Sequence, residues 1–190
     1  MNAANEQHAG QNADTAHRVR HGISARGPSG LRWLPIAAAV IGLDQLVKLW
    51  IVEHLALYRT VRLLPVLDIT LTYNRGAAFS LLAEASGWQM WLFAGLAVAV
   101  AAGITVWLRS LNGRSQRLLC VSLTLIMGGA LGNLIDRLRI GHVVDFILAH
   151  WHGVYFPWAF NLADSAITVG AVLLFLDAVL ESRGAKKESV

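Results

Sequence analysis

Long apolar stretches dominate the sequence, and shorter polar segments separate them. Trp91–Leu108 and Leu118–Ile135 are each 18 residues long and contain no charged side chain. An apolar helix of this length crosses the hydrocarbon core of a bilayer while satisfying its own backbone hydrogen bonds. Trp33–Val52 and Ser165–Leu180 are similarly apolar, although they carry a few charged residues. The pattern predicts four transmembrane helices and therefore an all-α membrane protein.

Basic residues indicate how these helices are oriented. Ten Lys and Arg residues flank the helices in the N-terminal tail, the second loop and the C-terminal tail, against five around the first and third loops. Basic residues accumulate in cytoplasmic segments. We therefore predict that both termini are cytoplasmic and that the first and third loops face outward.

The sequence predicts three parts of the chain. Residues 1–30 show no apolar periodicity and are expected to form a disordered cytoplasmic tail. Residues 31–182 form the four-helix domain, and 183–190 a cytoplasmic C-terminal tail. A signal peptide is a poorer interpretation of the first apolar run, because this run continues through Asp44 and Lys48 and does not end in an Ala-x-Ala cleavage site.

The first outer loop has a different periodicity. Apolar and polar residues alternate along Val66–Asn74, as in a strand with one apolar face. A lone strand is not stable. We therefore predict a small extracytoplasmic β-sheet from the first outer loop, with its apolar face toward the lipid or the helices.

Composition supports a membrane protein and argues against some partners. The chain is 55% hydrophobic and 15% charged, with a mean hydropathy of +0.50, which is too apolar for an ordinary soluble domain. Its net charge is +4, but the basic residues lie between apolar runs and not along one face, so no nucleic acid partner is predicted. The single cysteine, Cys120, lies in an apolar run and is expected to be a buried small residue.

Polar residues concentrate at the outward ends of the third and fourth predicted helices, where they are costly and usually functional. In Gly128–Arg137, the spacing of Gly128 and Gly132 favours close helix packing. Asn133 and Arg137 are four residues apart and share one helical face. Anchoring to lipid headgroups explains these two polar residues as well as a functional site does.

Two carboxylates flank the outer membrane boundary. Taken singly, Asp145 can be a solvated loop acid, and Asp164 can be the N-cap of the last helix. Together, with Asn161 and Arg137 near by, they indicate a site. Two close carboxylates can share a proton, so that one acts as base and the other as acid when water attacks a peptide carbonyl. This chemistry requires no metal, no other cofactor and no covalent nucleophile.

Other titratable residues have structural interpretations. Asp44 and Lys48 are one helical turn apart and are expected to form an ion pair. Asp177 is expected at the inner membrane interface. Three histidines could be imagined as metal ligands, but there is no His-Glu-x-x-His helix, so they are expected to be solvated loop residues: His142, His150 and His152.

These residues belong to blocks that resemble, in order, the motifs of the prolipoprotein signal peptidase (signal peptidase II) family. Each block alone is weakly specific, but the ordered set extends from the first to the fourth helix. The blocks are Asp44-x-x-x-Lys48, Asn74-Arg-Gly-Ala-Ala-Phe79, Gly128-Gly-x-x-Gly-Asn-x-x-Asp-Arg137, Val143-Val-Asp-Phe146 and Phe160-Asn-x-Ala-Asp-Ser165.

The resemblance implies a function and a site. It implies an intramembrane aspartyl endopeptidase of the bacterial inner membrane. Its substrate would be a lipid-modified prolipoprotein that carries diacylglyceryl on its cysteine and is cut before that cysteine. The expected enzyme is monomeric, contacts membrane lipid and needs no cofactor. Asp136 is not expected to be catalytic. Two residues are implied to be catalytic and four to line or order the site: Asp145 and Asp164, and Asn74, Asn133, Arg137 and Asn161.

Two other functions remain open from the residues alone. Membrane acids beside a basic partner also occur in proton-coupled transporters. However, a proton relay requires acids near mid-membrane in several helices, and Asp44 is the one acid arguably placed there. A membrane scaffold without activity is the other alternative, and it leaves Asp145 and Asp164 unexplained.

Overall fold

The computed structural model describes residues 27–74, 76, 87–152 and 154–188, with the backbone alone from residue 184 onward. It contains four long helices. They are α1 (Leu34–His54, preceded by a 3-10 turn at Gly30–Trp33), α2 (Trp88–Ser110), α3 (Arg117–Ile140) and α4 (Leu162–Glu188). All four are long and apolar enough to cross a membrane. The predicted spans are confirmed, and the chain is a multi-pass membrane protein.

The third helix lies at the centre of the bundle. α3 packs against α1, α2 and α4, and it is the most buried of the four helices. A Cβ added to Gly128 would meet the Cα of Ala37 in α1 at 3.0 Å, and one added to Gly129 would collide with the carbonyl oxygen of Ala163 in α4. Gly132 lies close to both α1 and α4. The close packing predicted for Gly128 and Gly132 is therefore present, and it brings α1 and α4 against α3.

Apolar side chains are distributed as a bilayer requires. Leu108 and Cys120 are fully buried in the helical core, as predicted for the cysteine. The outward faces of the helices carry large apolar residues that are mostly exposed, among them Leu46, Val106 and Phe175. Such surfaces are unfavourable in water and favourable in lipid. The bundle therefore has a core of its own and a lipid-facing exterior.

A four-stranded antiparallel sheet lies at one end of the bundle. Its strands are β1 (Thr60–Leu64), β2 (Leu67–Asn74), β3 (Val143–Trp151) and β4 (Val154–Tyr155), which neighbour one another in that order. β2 confirms the strand predicted in the first loop. β3 and β4 come from the third loop, between α3 and α4, where no strand was predicted. The first four residues of β3 are all buried, so the strand lacks the alternation that marks a half-exposed strand.

The segment before α1 is attached to the loop between α2 and α3. The Gly113 amide donates to the Pro28 carbonyl (2.8 Å), and the Gly30 amide donates to the Leu111 carbonyl (3.1 Å). These two segments therefore lie on the same side of the bundle. Residues 1–26 of the predicted N-terminal tail lie outside the described residues. At the other end, α4 continues through residue 183, where the C-terminal tail was predicted to begin.

Candidate active site

A cavity of about 790 Å³ lies between α2 and α4, with α3 as its floor. Most of its wall is apolar, with side chains such as Leu96, Val100, Ile126 and Ile167. Its outer end, next to the sheet, is polar. Five of the six predicted site residues line this end, and they come from β2, α3, β3 and α4: Asn74, Asn133, Arg137, Asp145 and Asp164. The sixth, Asn161, is fully buried directly behind them.

Asp145 is held in place by a strand and two asparagines. It lies in β3, opposite Thr72 of β2, and is 3% exposed. Asn74 Nδ2 donates to Asp145 Oδ2 (3.1 Å), and Asn161 Nδ2 donates to Asp145 Oδ1 (2.8 Å). The alternative of a solvated loop acid is therefore wrong, because the strand carries this side chain into the protein.

The environment of Asp145 favours its protonated form. Burial, and after it the negative charge of Asp164, raises the pKa of the Asp145 carboxyl, whereas the hydrogen bonds from Asn74 and Asn161 lower it. The net effect is a pKa of about 7. Both protonation states of Asp145 are therefore populated near neutral pH. A carboxyl with this property beside a second carboxylate is suited to proton transfer in both directions.

Asp164 caps a helix and also faces the cavity. The Asn161 side chain accepts a hydrogen bond from the Asp164 amide (2.9 Å), and the Asp164 side chain accepts one from the Asn161 amide (3.2 Å). This reciprocal arrangement is a capping box at the start of α4. Asn133 Nδ2 donates to the other oxygen, Asp164 Oδ1 (2.8 Å). The N-cap is therefore Asn161 and not Asp164, as the alternative interpretation had it, and Asp164 is the third helical residue of the box. Its carboxylate remains at the cavity wall.

A buried ion cluster lies behind the asparagines. The predicted Asp44–Lys48 ion pair is confirmed, with 2.8 Å between Lys48 Nζ and Asp44 Oδ2. Asp136 is a third member, also 2.8 Å from Lys48 Nζ, and Lys48 further donates to Asn133 Oδ1 (3.0 Å). The extension of the ion pair to Asp136 and Asn133 was not predicted. The available signal was that Asn133 and Asp136 are three residues apart and so share one face of α3.

Arg137 connects α3 with the chain that follows β2. Its guanidinium donates to the Gly76 carbonyl (3.0 Å) and to the Asn133 carbonyl (3.3 Å), and it lies over the ring of Phe93 in α2. The Gly76 amide in turn donates to Asn74 Oδ1 (2.9 Å). Arg137 therefore fixes the segment that carries Asn74. Arg75 and residues 77–79 of the same predicted motif lie outside the described residues.

The three histidines between α3 and α4 differ from one another in their surroundings. His150 is 7% exposed, and its Nε2 lies 3.2 Å from Asp68 Oδ1, so the prediction of a solvated loop residue is wrong for His150. Its position in β3 places the side chain in a buried site beside Asp68. His142 contacts the ring of Tyr73, and His152 is exposed. Within the part of the chain that the structure describes, no group of three or more His, Cys, Asp or Glu side chains is arranged to hold a metal ion.

The chain is similar in sequence and in structure to known proteins. The family model of signal peptidase (SPase) II matches residues 36–180. A lipoprotein signal peptidase of Pseudomonas fluorescens is 52% identical over 148 residues, which is 77% of this chain and 86% of the relative. One of Pseudomonas aeruginosa is 53% identical, over 77% of this chain and 87% of the relative. A solved bacterial membrane enzyme superposes with a TM-score of 0.72 at 32% identity, covering 83% of this chain and 92% of that one.

Proposed function

The chain belongs to the signal peptidase II family and removes signal peptides from prolipoproteins, and we propose that it does so as an aspartyl endopeptidase. Asp145 and Asp164 are the catalytic pair in this proposal. The observation that carries it is the meeting of these two carboxylates, one from β3 and one from α4, at the polar end of the apolar cavity. Each is held by side-chain amides, from Asn74 and Asn161 on Asp145 and from Asn133 on Asp164.

The proposed reaction needs one shared proton and one water molecule. The ionised member of the pair takes a proton from the water as it attacks the scissile carbonyl, and the protonated member donates a hydrogen bond to the carbonyl oxygen. The same groups then return a proton to the departing amine. The pKa of about 7 for Asp145 supports this scheme, because it allows the pair to exist with a single proton at neutral pH. Arg137 and the three asparagines order the site.

The shape of the cavity supports a lipid-modified substrate. Its apolar wall follows α2, α3 and α4 along the membrane-spanning direction, while the carboxylates lie at its outer end. A prolipoprotein whose cysteine carries diacylglyceryl can keep its acyl chains in lipid while the bond before the cysteine reaches the pair. The acyl chains would then fix the depth of the scissile bond.

We place the protein in the bacterial inner membrane with both termini in the cytoplasm. The excess of basic residues around the second loop and the tails supports this orientation, as does the contact of residues 28–30 with the α2–α3 loop. A phosphatase reporter fused after Asn112 is expected to be inactive in cells, and one fused after Leu63 active. Activity after Asn112 would reverse the orientation. One chain supplies all six site residues, which supports a monomeric enzyme.

The central test is cleavage of a lipidated precursor peptide by purified protein. Asp145→Asn and Asp164→Asn are each expected to reduce the rate by at least about 10³-fold, because neither proton transfer can be completed by one carboxyl alone. The double variant should lose about as much as either single variant, as expected for groups that act as one unit. Asp68→Asn, in the separate buried pair with His150, is the control. Substantial turnover by folded Asp145→Asn would exclude the mechanism, and loss of activity in EDTA with rescue by zinc would favour a metal.

A second test concerns the lipid. The same peptide without its diacylglyceryl group is expected to be cleaved about 100-fold less efficiently in kcat/KM, because the acyl chains supply binding energy and position the cysteine. A non-cleaved lipidated peptide should inhibit, whereas its unlipidated counterpart should not. Equal turnover of both precursors would contradict the lipid requirement while leaving the aspartyl mechanism intact.

A further inference from the structure

The two aspartates of the buried ion cluster hold the backbone beside the proposed catalytic pair. Asp44 Oδ1 accepts a hydrogen bond from the Ala163 amide (3.0 Å), one residue before Asp164. Asp136 Oδ2 accepts one from the Val144 amide (3.1 Å), one residue before Asp145. The two contacts are equivalent, although one residue lies in a helix and the other in a strand. Each proposed catalytic side chain is thus anchored through the preceding peptide group.

Lys48 joins the two anchors and adds a third. Its ammonium lies 2.8 Å from one oxygen of Asp44 and 2.8 Å from one oxygen of Asp136, so it fixes the distance between the two carboxylates. An ammonium group can only donate hydrogen bonds, so its contact with Asn133 must involve the amide oxygen, at 3.0 Å. The Asn133 amide nitrogen is consequently directed at Asp164 Oδ1, 2.8 Å away. Lys48 therefore sets the orientation of Asn133 together with Asn161, whose Nδ2 also donates to Asn133 Oδ1 (3.1 Å).

A cluster of this kind is not explained by stability alone. The side chains of Asp44, Lys48 and Asp136 are at most 5% exposed, and burial of three charges is costly enough that apolar replacements are often equally stable. Proton transfer between two carboxyls and a substrate, in contrast, is sensitive to displacements of about 1 Å. The contacts of the cluster lie where such displacements would arise.

We propose that Asp44, Lys48 and Asp136 form a positioning cluster that sets the spacing of Asp145 and Asp164 by holding the peptide groups that precede them. This inference rests on the proposed aspartyl mechanism. None of the three residues contacts substrate in this scheme. Asp136 is the most informative member, because its removal leaves Lys48 and Asp44 as a charge-balanced pair.

Two substitutions at position 136 separate positioning from charge. Asp136→Asn removes the charge, but its amide oxygen can still accept a hydrogen bond from Val144. Asp136→Leu removes the charge and the acceptor while filling a similar volume. The positioning role predicts that kcat falls about 30-fold or more in Asp136→Leu, with KM within about twofold, and at most about threefold in Asp136→Asn. Amide hydrogen exchange at Val144 should accelerate in the leucine variant only.

Asp68 provides a matched control. Its carboxylate is also buried and ion-paired, but its partners are His150 and Tyr155. Asp68→Leu and Asp68→Asn should therefore lower thermal stability without separating from each other in kcat. A large difference between them would show that the assay responds to the loss of any buried hydrogen bond.

The outcomes are distinguishable. Equal kcat values for folded Asp136→Leu and Asp136→Asn, or a loss confined to the amount of folded protein, would overturn the positioning role. If Asp136→Leu does not fold, the comparison of Asp44→Leu with Asp44→Asn tests the other anchor by the same criterion, with exchange measured at Ala163, and an Asp44→Leu variant that also fails to fold would assign the cluster to folding. Asp145→Asn in the same assay tests the mechanism itself. Cleavage by this variant would exclude the proposed catalytic pair, whereas the comparison at position 136 tests the anchors.

Discussion

The protein contains two pairs of aspartates at the same end of the bundle, and their partners differ. Asp44 and Asp136 share the ammonium of Lys48. Asp145 and Asp164 line the cavity and receive their side-chain hydrogen bonds from asparagine amides. The first pair is bound to a positive charge. The second pair is oriented by neutral amide groups.

This difference shows how a protein can fix the position of a carboxylate without fixing its charge. A neutral amide donates to either form of a carboxyl group, whereas an ammonium strongly favours the ionised form. Groups that must gain and lose protons during turnover are therefore better held by amides. Asn133 connects the two systems, because it accepts from Lys48 and donates to Asp164.

The largest expected difference between the two pairs is in stability. Lys48→Met leaves Asp44 and Asp136 buried without their common counter-ion, which should lower the free energy of unfolding by about 3–5 kcal/mol. The triple variant Asp44→Asn, Lys48→Met, Asp136→Asn removes all three charges and should recover part of that loss. Denaturant or thermal unfolding in detergent measures both. Wild-type stability of Lys48→Met would contradict the view that the ammonium holds this pair.

The amide partners should matter more for activity than the charge of the first pair. Asn133→Ala removes the donor to Asp164, and Arg137→Ala releases the segment that carries Asn74. Each is expected to lower kcat/KM about 10- to 100-fold, equivalent to about 1.4–2.8 kcal/mol. Asp44→Asn, which keeps an acceptor for the Ala163 amide, should cost less. Rates are to be corrected for folded protein, and a more damaging Asp44→Asn would favour the proton-relay alternative.

The smallest expected effect is a pH-dependent change in thermal stability. Because the pKa of Asp145 is raised from 3.8 to about 7 in the fold, the folded protein binds more protons than the unfolded chain between these values, and wild-type stability falls as pH rises through 7. Asp145→Asn removes this dependence.

The Asp145→Asn variant should melt about 4 °C above wild type at pH 8 and no higher at pH 4. The gain is limited because an amide at position 145 cannot accept from both Asn74 and Asn161. Melting curves at the two pH values provide the measurement. A gain at pH 4 that disappears at pH 8 would mean that the pKa is lowered and not raised.

The elements that the sequence predicted are those with a simple pattern of apolar and polar residues. The four spans follow from the length of their apolar stretches, and β2 follows from alternation between Leu67 and Asn74. β3 was not predicted, because its buried residues are consecutive. The burial of Asp145 and His150, which lie in this strand, was therefore not predicted either. Side-chain chemistry and motif resemblance selected the six site residues without indicating how they contact one another. The joint contact of Lys48 with α3 residues was not predictable from local spacing, since it depends on how α1 meets α3.

The packing of α3 also bears on when the enzyme becomes active during its synthesis. Asp164 and the Ala163 carbonyl that lies against Gly129 both belong to α4, which follows the other three described helices in chain order. A nascent chain that has inserted only these three helices lacks Asp164, and the face of α3 that α4 covers is open. Under the proposed aspartyl mechanism, proteolytic competence and the completion of the helical core therefore depend on the same helix, and a partly synthesised chain is inactive.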